Sequence, residues 1–258
     1  MAAKEKKVEV EHKPIRLNKY LSEAGFCSRR EADRIIEQGR IMVDGECAMP
    51  GLKILPSQRI IVDGKPIIKE EEKIILAVNK PIGVVCTTTN RFKEENIVDF
   101  VNYPKRIYPI GRLDKNSEGL ILMTNQGELG NKILKASNYH EKEYIVTVNK
   151  SITPEFLEKM QNGVPILDTI TRPCKIKKKG KKIFSIILTQ GLNRQIRRMC
   201  ESLGYRVETL KRIRIMNISL GDLPVGTYRP LTEEEVRILG MLTEKRIQKS
   251  EKDIKKEK

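Results

Sequence analysis

The chain has 258 residues, of which 39% are hydrophobic and 33% charged, with a formal net charge of +16. That length holds one large domain and a small one, and that apolar content excludes wholesale disorder. The charge predicts a polyanionic partner bound in a salt-sensitive way, with nucleic acid as the natural candidate. The sequence has no transmembrane-length apolar run and no signal-peptide core, so a membrane partner is not expected and the cytoplasm is the expected compartment. The five cysteines (Cys27, Cys47, Cys86, Cys174, Cys200) are scattered, with no CxxC pair. Of the two histidines, His12 and His140, neither has a close Cys or His partner. No disulfide framework and no metal site is expected from this pattern. His140, ahead of a Glu-Lys-Glu run, reads as a solvated loop residue.

Residues 1–14 are rich in Lys and Glu and read as a flexible leader. Leu17, Tyr20, Leu21 and Ala24 then fall at helical spacing, and Gly25 can end that helix. Ser28 and Glu31 form a capping-box pattern for a second helix that buries Ala32, Ile35 and Ile36 and closes at Gly39. A short strand, Arg40 to Val43, runs into an Asp44-Gly45 turn, and a later strand ends at a second turn of this kind, Asp63-Gly64. Arg16, Lys19, Arg29, Arg30, Arg34 and Arg40 are left for the outside. The string RLNKYLSEAGFCSRREADRIIEQGRIMVDGE resembles an S4 RNA-binding domain, expected over residues 15–65, and the resemblance implies that these six cations face RNA. Plain solvation of an amphipathic helix pair is the competing reading.

Residues 66–73 turn charged and read as a linker. Strand-like runs follow at Ile74–Val78, Leu120–Thr124, Tyr144–Val148, Ile183–Thr189 and Arg214–Leu220, with helical patterns near Leu129–Lys135, Pro154–Gln161 and Arg194–Leu203. Strands outnumber helices without regular alternation, which favours an α+β fold on a mixed or antiparallel sheet over residues 74–242. The tail, 243–258, is dominated by Lys and Glu and is expected to be a frayed helix or disordered.

The most informative stretch is GRLDKNSEGLILMTN, residues 111–125. It sets one carboxylate, Asp114, between Arg112 and a Ser-Glu-Gly turn, anchored by the apolar run Leu120 to Met123. A carboxylate with no histidine close by suits nucleophilic work better than proton relay, although by its residues alone Asp114 could equally cap its own turn. The segment resembles the catalytic motif of pseudouridine synthases of the RsuA type, on the side of that family typified by RluF. Isomerising uridine to pseudouridine consumes nothing, so the resemblance implies no cofactor and no metal, with Asp114 as the nucleophile.

Such a carboxylate must stay ionised where water is excluded, which calls for a fixed cation. In GLNRQIRRMCESLGY, Ile196, Met199, Cys200 and Leu203 share one helical face, Arg194, Arg198 and Glu201 point away, and Arg197 falls at the margin. The same string resembles the family's arginine motif, with Arg197 at the position paired to the catalytic Asp. Arg194 and Arg198 then read as phosphate contacts. Tyr144 matches the family's active-site tyrosine, whose ring stacks on a flipped uracil; an ordinary core tyrosine is the other reading. Leu210 corresponds to an apolar residue lining the base pocket, and Arg112 either helps extrude the nucleotide or makes a structural salt bridge.

The target base must leave its stack to be attacked. A basic hairpin, Lys175 to Lys182 turning at Gly180, is expected to flank the site with Lys211, Arg212 and Arg214. The resemblance covers roughly residues 15–240 and implies a uridine in large-subunit ribosomal RNA, with a similar tRNA loop as a secondary possibility and a monomeric enzyme. The rivals are a non-catalytic S4-bearing RNA-binding or ribosome-assembly protein, and a methyltransferase with an S4 appendage, which would need a Gly-rich cofactor loop that is absent.

Overall fold

The computed structural model describes residues 13–68, 72–88 and 95–254, the side chains of Ala136 and residues 245–254 excepted. The expected leader, apart from Lys13 and Pro14, therefore lies outside the described residues, as do 69–71 of the linker and 255–258 of the tail. The chain divides into two compact units after Lys73.

In the first unit β1 (Ile15–Arg16) leads into α1 (Leu17–Glu23) and α2 (Arg29–Glu37). Strands β2 (Ile41–Val43), β3 (Glu46–Cys47), β4 (Lys53–Ile54), β5 (Ile60–Val62) and β6 (Lys65–Pro66) follow. Leu17, Tyr20 and Leu21 of α1 meet Ala32, Ile35 and Ile36 of α2 over Ile41, Val43, Ile60 and Val62. The capping box at α2 is half formed. The Ser28 hydroxyl accepts from the Glu31 amide at 3.1 Å, but the Glu31 carboxylate holds Arg34 at 3.2 Å instead of turning back. Asp44-Gly45 and Asp63-Gly64 both have two successive positive φ values, the turn that matches the twist of a tight hairpin.

The second unit is built on a nine-stranded mixed sheet. Its elements in chain order begin with β7 (Ile75–Lys80), α3 (Ile97–Val101), β8 (Tyr108–Ile110), β9 (Glu118–Thr124), α4 (Gly127–Leu134) and β10 (Lys142–Val148). Helix α5 (Pro154–Asn162), a small hairpin of β11 (Pro165–Ile166) and β12 (Thr169–Ile170), β13 (Lys175–Lys178), β14 (Ile183–Leu188) and α6 (Gln195–Ser202) come next. The unit ends with β15 (Val207–Ile215), β16 (Ile218–Ser219), β17 (Tyr228–Pro230) and α7 (Glu233–Ile254).

The sheet order is β13-β14-β10-β15-β9-β7-β17, with β8 on β9 and β16 on β15. The β15–β9 pairing is parallel and the others are antiparallel. All six residues of β7 are buried, because both faces of the sheet are covered. One face packs Val78, Ile121, Val146 and Phe184 against α5 and α6, while the other packs Ala77, Leu120 and Leu122 against Ile133 of α4 and Leu239 of α7.

One expectation is corrected here. The run Arg214–Leu220 is not one strand: β15 starts at Val207, and the chain reverses through Met216, which has φ +52, into β16. The run Arg214–Leu220 hides that turn because it contains no glycine or proline, and Asn217 is its one turn-forming signal. Of the two states expected for the tail the structure has the helical one, α7 running on to Ile254, with Thr243 buried and its hydroxyl donating to the Leu239 carbonyl at 3.0 Å.

Candidate active site

A cavity of about 540 Å³ opens on the second unit. Its wall brings together Asp114, Tyr144, Arg197, Leu210, Arg112 and Arg194; Arg198 is not part of it. Asp114 sits on the turn between β8 and β9, where its carbonyl accepts the Ser117 amide at 3.0 Å. Leu113, one residue earlier, is buried in the core and donates its amide to the Cys86 Sγ at 3.4 Å. The Gly83 amide donates to the Lys115 carbonyl at 2.9 Å. That approach is itself braced by Lys80, which is fully buried and donates to the carbonyls of Pro81 at 2.7 Å and Val84 at 2.8 Å. Burial pulls the Lys80 ammonium below its ordinary pKa, and the carboxylates of Asp114 and Glu118 act the other way. Lys80 is a site residue without an expectation from the sequence alone, and its signal there is Lys-Pro-x-Gly after a buried strand.

Arg197 comes from α6 and is 8% exposed. Its Nε lies 3.8 Å from Asp114 Oδ2. Its Nη2 donates to the Asn116 carbonyl at 2.7 Å and to Ser117 Oγ at 3.2 Å, and its Nη1 reaches the Val207 carbonyl at 3.4 Å. One guanidinium thus holds the Asp114 turn and the first residue of β15 together. Burial lowers its pKa, against which the Asp114 carboxylate acts. The Asp114 side chain keeps 34% of its surface open, so a substrate can reach it.

Tyr144 (9% exposed) and Leu210 (7%) form an apolar wall from neighbouring strands. Arg112 and Arg194 are exposed at the rim. Arg198 turns elsewhere, donating to the Asn193 carbonyl at 3.1 Å and side chain at 3.3 Å, and so fixes the loop before α6.

His140 is corrected from a solvated loop residue to a buried one, 3% exposed and lining the cavity beside Lys142. The expected cationic flank also divides. Arg214 is held by Glu141 and Glu143, each at 3.0 Å, Lys211 faces Glu118 at 3.6 Å, and Arg212 is buried in the cavity wall. Alternation along the strand separates Lys211 from Arg212, and the register shift between Glu143 and Tyr144, which skips Ile213, separates Arg212 from Arg214. The hairpin of β13 and β14 keeps Lys177, Lys179, Lys181 and Lys182 exposed.

In the first unit Arg16, Arg29 and Arg30 are exposed with no ion pair among the described residues. Lys19 lies 3.6 Å from Glu23, Arg34 pairs with Glu31, and Arg40 makes a two-pronged contact with Asp63. Among the described residues no group of three His, Cys, Asp or Glu side chains could hold a metal ion.

A carboxylate clamped by a buried arginine beside a tyrosine and a leucine, in a basic chain, asks for a comparison with RNA enzymes. The sequence pattern of the RNA pseudouridylate synthase family matches residues 74–202, and that of the S4 domain matches residues 15–60. The dual-specificity RNA pseudouridine synthase RluF of Escherichia coli (strain K12) is 54% identical over 232 residues, covering 89% of this chain and 80% of that protein. This chain belongs to the RNA pseudouridylate synthases.

Within the family, the ribosomal large subunit pseudouridine synthase B of Bacillus subtilis (strain 168) is 37% identical over 238 residues, covering 89% of this chain and 97% of its own. A crystal structure of a pseudouridylate synthase superposes with a TM-score of 0.65 at 28% identity, over 87% of this chain and 99% of that one. The α+β fold with an N-terminal S4 domain is therefore that of an RNA pseudouridine synthase, an enzyme that isomerises uridine within RNA. The reading as a purely structural S4-bearing RNA binder gives way to it.

Proposed function

We propose that Asp114 is the nucleophile of this synthase and that its substrate is a uridine in large-subunit ribosomal RNA. The observation that carries the first part is the single clamp of Arg197 on Asp114 and on its turn, at a partly open carboxylate. The target nucleotide leaves its stack and enters between Tyr144 and Leu210. Asp114 forms a covalent adduct with it while the bond between the sugar C1′ and uracil N1 breaks. The detached ring turns, its C5 bonds to C1′, the bond to Asp114 breaks and frees the carboxylate, and N1 ends with the proton that C5 releases, so the product is an isomer of the substrate. Stacking on Tyr144 holds the ring during the turn, and its hydroxyl relays the C5 proton, giving up its own as it accepts that one. Arg197 keeps an anion tolerable in a site that excludes water.

Arg112 and Arg194 at the rim grip phosphates, and Arg16, Arg29 and Arg30 of the S4 domain add affinity without reading sequence. The expected phosphate role of Arg198 is set aside for loop bracing, because its guanidinium is taken by Asn193. The ribosomal target is supported by the relative named as a ribosomal large subunit enzyme, and a tRNA loop is the secondary substrate by analogy with the dual-specificity relative. We read the enzyme as a cytoplasmic monomer without cofactor; among the described residues no helix is long and apolar enough to cross a membrane.

The test is pseudouridine mapping of ribosomal RNA and tRNA from cells lacking the gene, complemented with wild type or with Asp114→Asn. Loss of one ribosomal site, restored by wild type alone, is expected. Rescue by Asp114→Asn would overturn the nucleophile assignment, and an unchanged ribosomal map would overturn the substrate.

A further inference from the structure

Ion pairs account for several charges in and around the cavity, and away from its exposed rim cations Arg112 and Arg194 two further cations of its wall stand out. Asp114 faces Arg197, Glu118 faces Lys211, and Glu141 and Glu143 share Arg214. Lys142 and Arg212, both in the cavity wall, have no carboxylate within ion-pair distance among the described residues. The Lys142 ammonium has one polar contact there, the His140 carbonyl at 3.4 Å. Arg212 is 3% exposed; its Nε donates to the Leu120 carbonyl at 2.6 Å, but its buried Nη2 has no hydrogen-bond partner among the described residues.

Arg212 is removed from water and Lys142 is half-buried, and two such cations with no counter-ion are costly unless an anion arrives to meet them. The strain is visible on Lys142, whose pKa is brought down to about 8, mainly by burial and then by Arg212. Arg212 lies opposite Tyr144 in the β10–β15 ladder, while Lys142 lies two residues from Tyr144 along β10. The pair therefore sits directly beside the position of the uracil.

The cavity also has two apolar ends drawn from different cores. Tyr144 and Leu210 belong to one, and Ile110, Ile133 and Ile215 to the other. A single nucleoside at Asp114 does not require the second end.

We propose that Lys142 and Arg212 form a phosphate site in the cavity wall for one of the two backbone phosphates flanking the target uridine, with the neighbouring nucleotide directed toward Ile110, Ile133 and Ile215. The inference rests on the reading that the target uridine occupies the Asp114 end. The phosphate supplies the missing counter-charge, and charge-assisted bonds from a fork and an ammonium hold it in one place. Register along the RNA is then set inside the cavity and not only at the rim.

The experiment uses an RNA stem-loop carrying the mapped uridine, made with one neutral methylphosphonate at each linkage in turn. A 2′-O-methyl group protects that linkage, and the 2′-O-methyl phosphodiester serves as control. Binding is measured to full-length Asp114→Asn protein, so that turnover does not intrude. One flanking linkage is expected to weaken binding about tenfold to a hundredfold, as befits a lost charged hydrogen bond, while distant linkages change it by about twofold or less. Adding Lys142→Met, or Lys142→Gln should the first variant misfold, should weaken the all-phosphate RNA similarly and abolish sensitivity to that one linkage, whereas Lys142→Arg should keep it.

Equal sensitivity at flanking and distant linkages would overturn the proposal. So would a Lys142→Met loss that is the same for the phosphate and methylphosphonate RNAs. Failure of the Asp114 reading would show separately, as turnover by Asp114→Asn.

Discussion

Gly119 stands where β9 and β15 run parallel, and replacing it with alanine should damage both stability and turnover. Its φ is +104°, and a Cβ built there would lie 2.3 Å from the Arg212 carbonyl oxygen and 2.8 Å from the Arg212 nitrogen. Carbon–oxygen contacts settle near 3.3–3.6 Å, so the strands must part by roughly 1 Å. The backbone conformation costs a residue with a side chain about 1–3 kcal/mol, and overpacking costs about 1–3 kcal/mol more. Together they give about 2–6 kcal/mol. The parted strands carry Arg212 on one side and, just beyond the Asp114 turn, the start of β9 on the other, where a 1 Å error is worth about a hundredfold in rate. Urea unfolding with single-turnover pseudouridine formation reads both effects. Gly221→Ala is the control, since φ there is +55° with nothing within 4 Å of a Cβ; it should cost about 1–2 kcal/mol with unchanged turnover. If Gly119→Ala unfolds and turns over like the control, close strand approach is not what holds this site.

Lys80→Met removes two hydrogen bonds and leaves the Pro81 and Val84 carbonyls unsatisfied; denaturant titration should show a loss of about 2–6 kcal/mol. Arg29→Ala with Arg30→Ala should reduce the slope of log affinity against log salt by about 1.4–1.8. Arg40→Ala should change that slope less, because its guanidinium is engaged by Asp63. Tyr144→Phe should keep RNA affinity within about twofold while slowing turnover, whereas Tyr144→Ala should weaken binding by about 1–3 kcal/mol through lost stacking. Lys142 should give two pH effects of opposite sign. Its folded pKa of about 8 lies below the ordinary 10.5, so the unfolded chain holds more protons between those values and stability should rise with pH across that window. RNA affinity should fall as pH rises through about 8, and Lys142→Met should flatten both curves in thermal melts and binding titrations.

The amino-acid sequence by itself determined the features that depend on neighbours along the chain. Asp44-Gly45 and Asp63-Gly64 are hairpin turns because Asp tolerates and Gly favours positive φ. Helix α2 buries Ala32, Ile35 and Ile36 because they recur at helical spacing. Arg197 shares a helix with Ile196, Met199 and Cys200, close enough to their face to be drawn into the core.

Only the tertiary structure decided what depends on register and on the far side of the sheet. Reversal at Met216 is written in no glycine or proline, and it follows from β16 folding back on β15. His140 is buried because the chain entering β10 runs under the cavity wall. Lys211, Arg212 and Arg214 are interchangeable as letters. The pairing of β15 with β9 and β10 gives the first and last their carboxylates and leaves Arg212 inside with none. Local turns and helix faces are set by backbone sterics and periodicity within a few residues, whereas the partner of a buried charge is chosen by strands nearly a hundred residues apart.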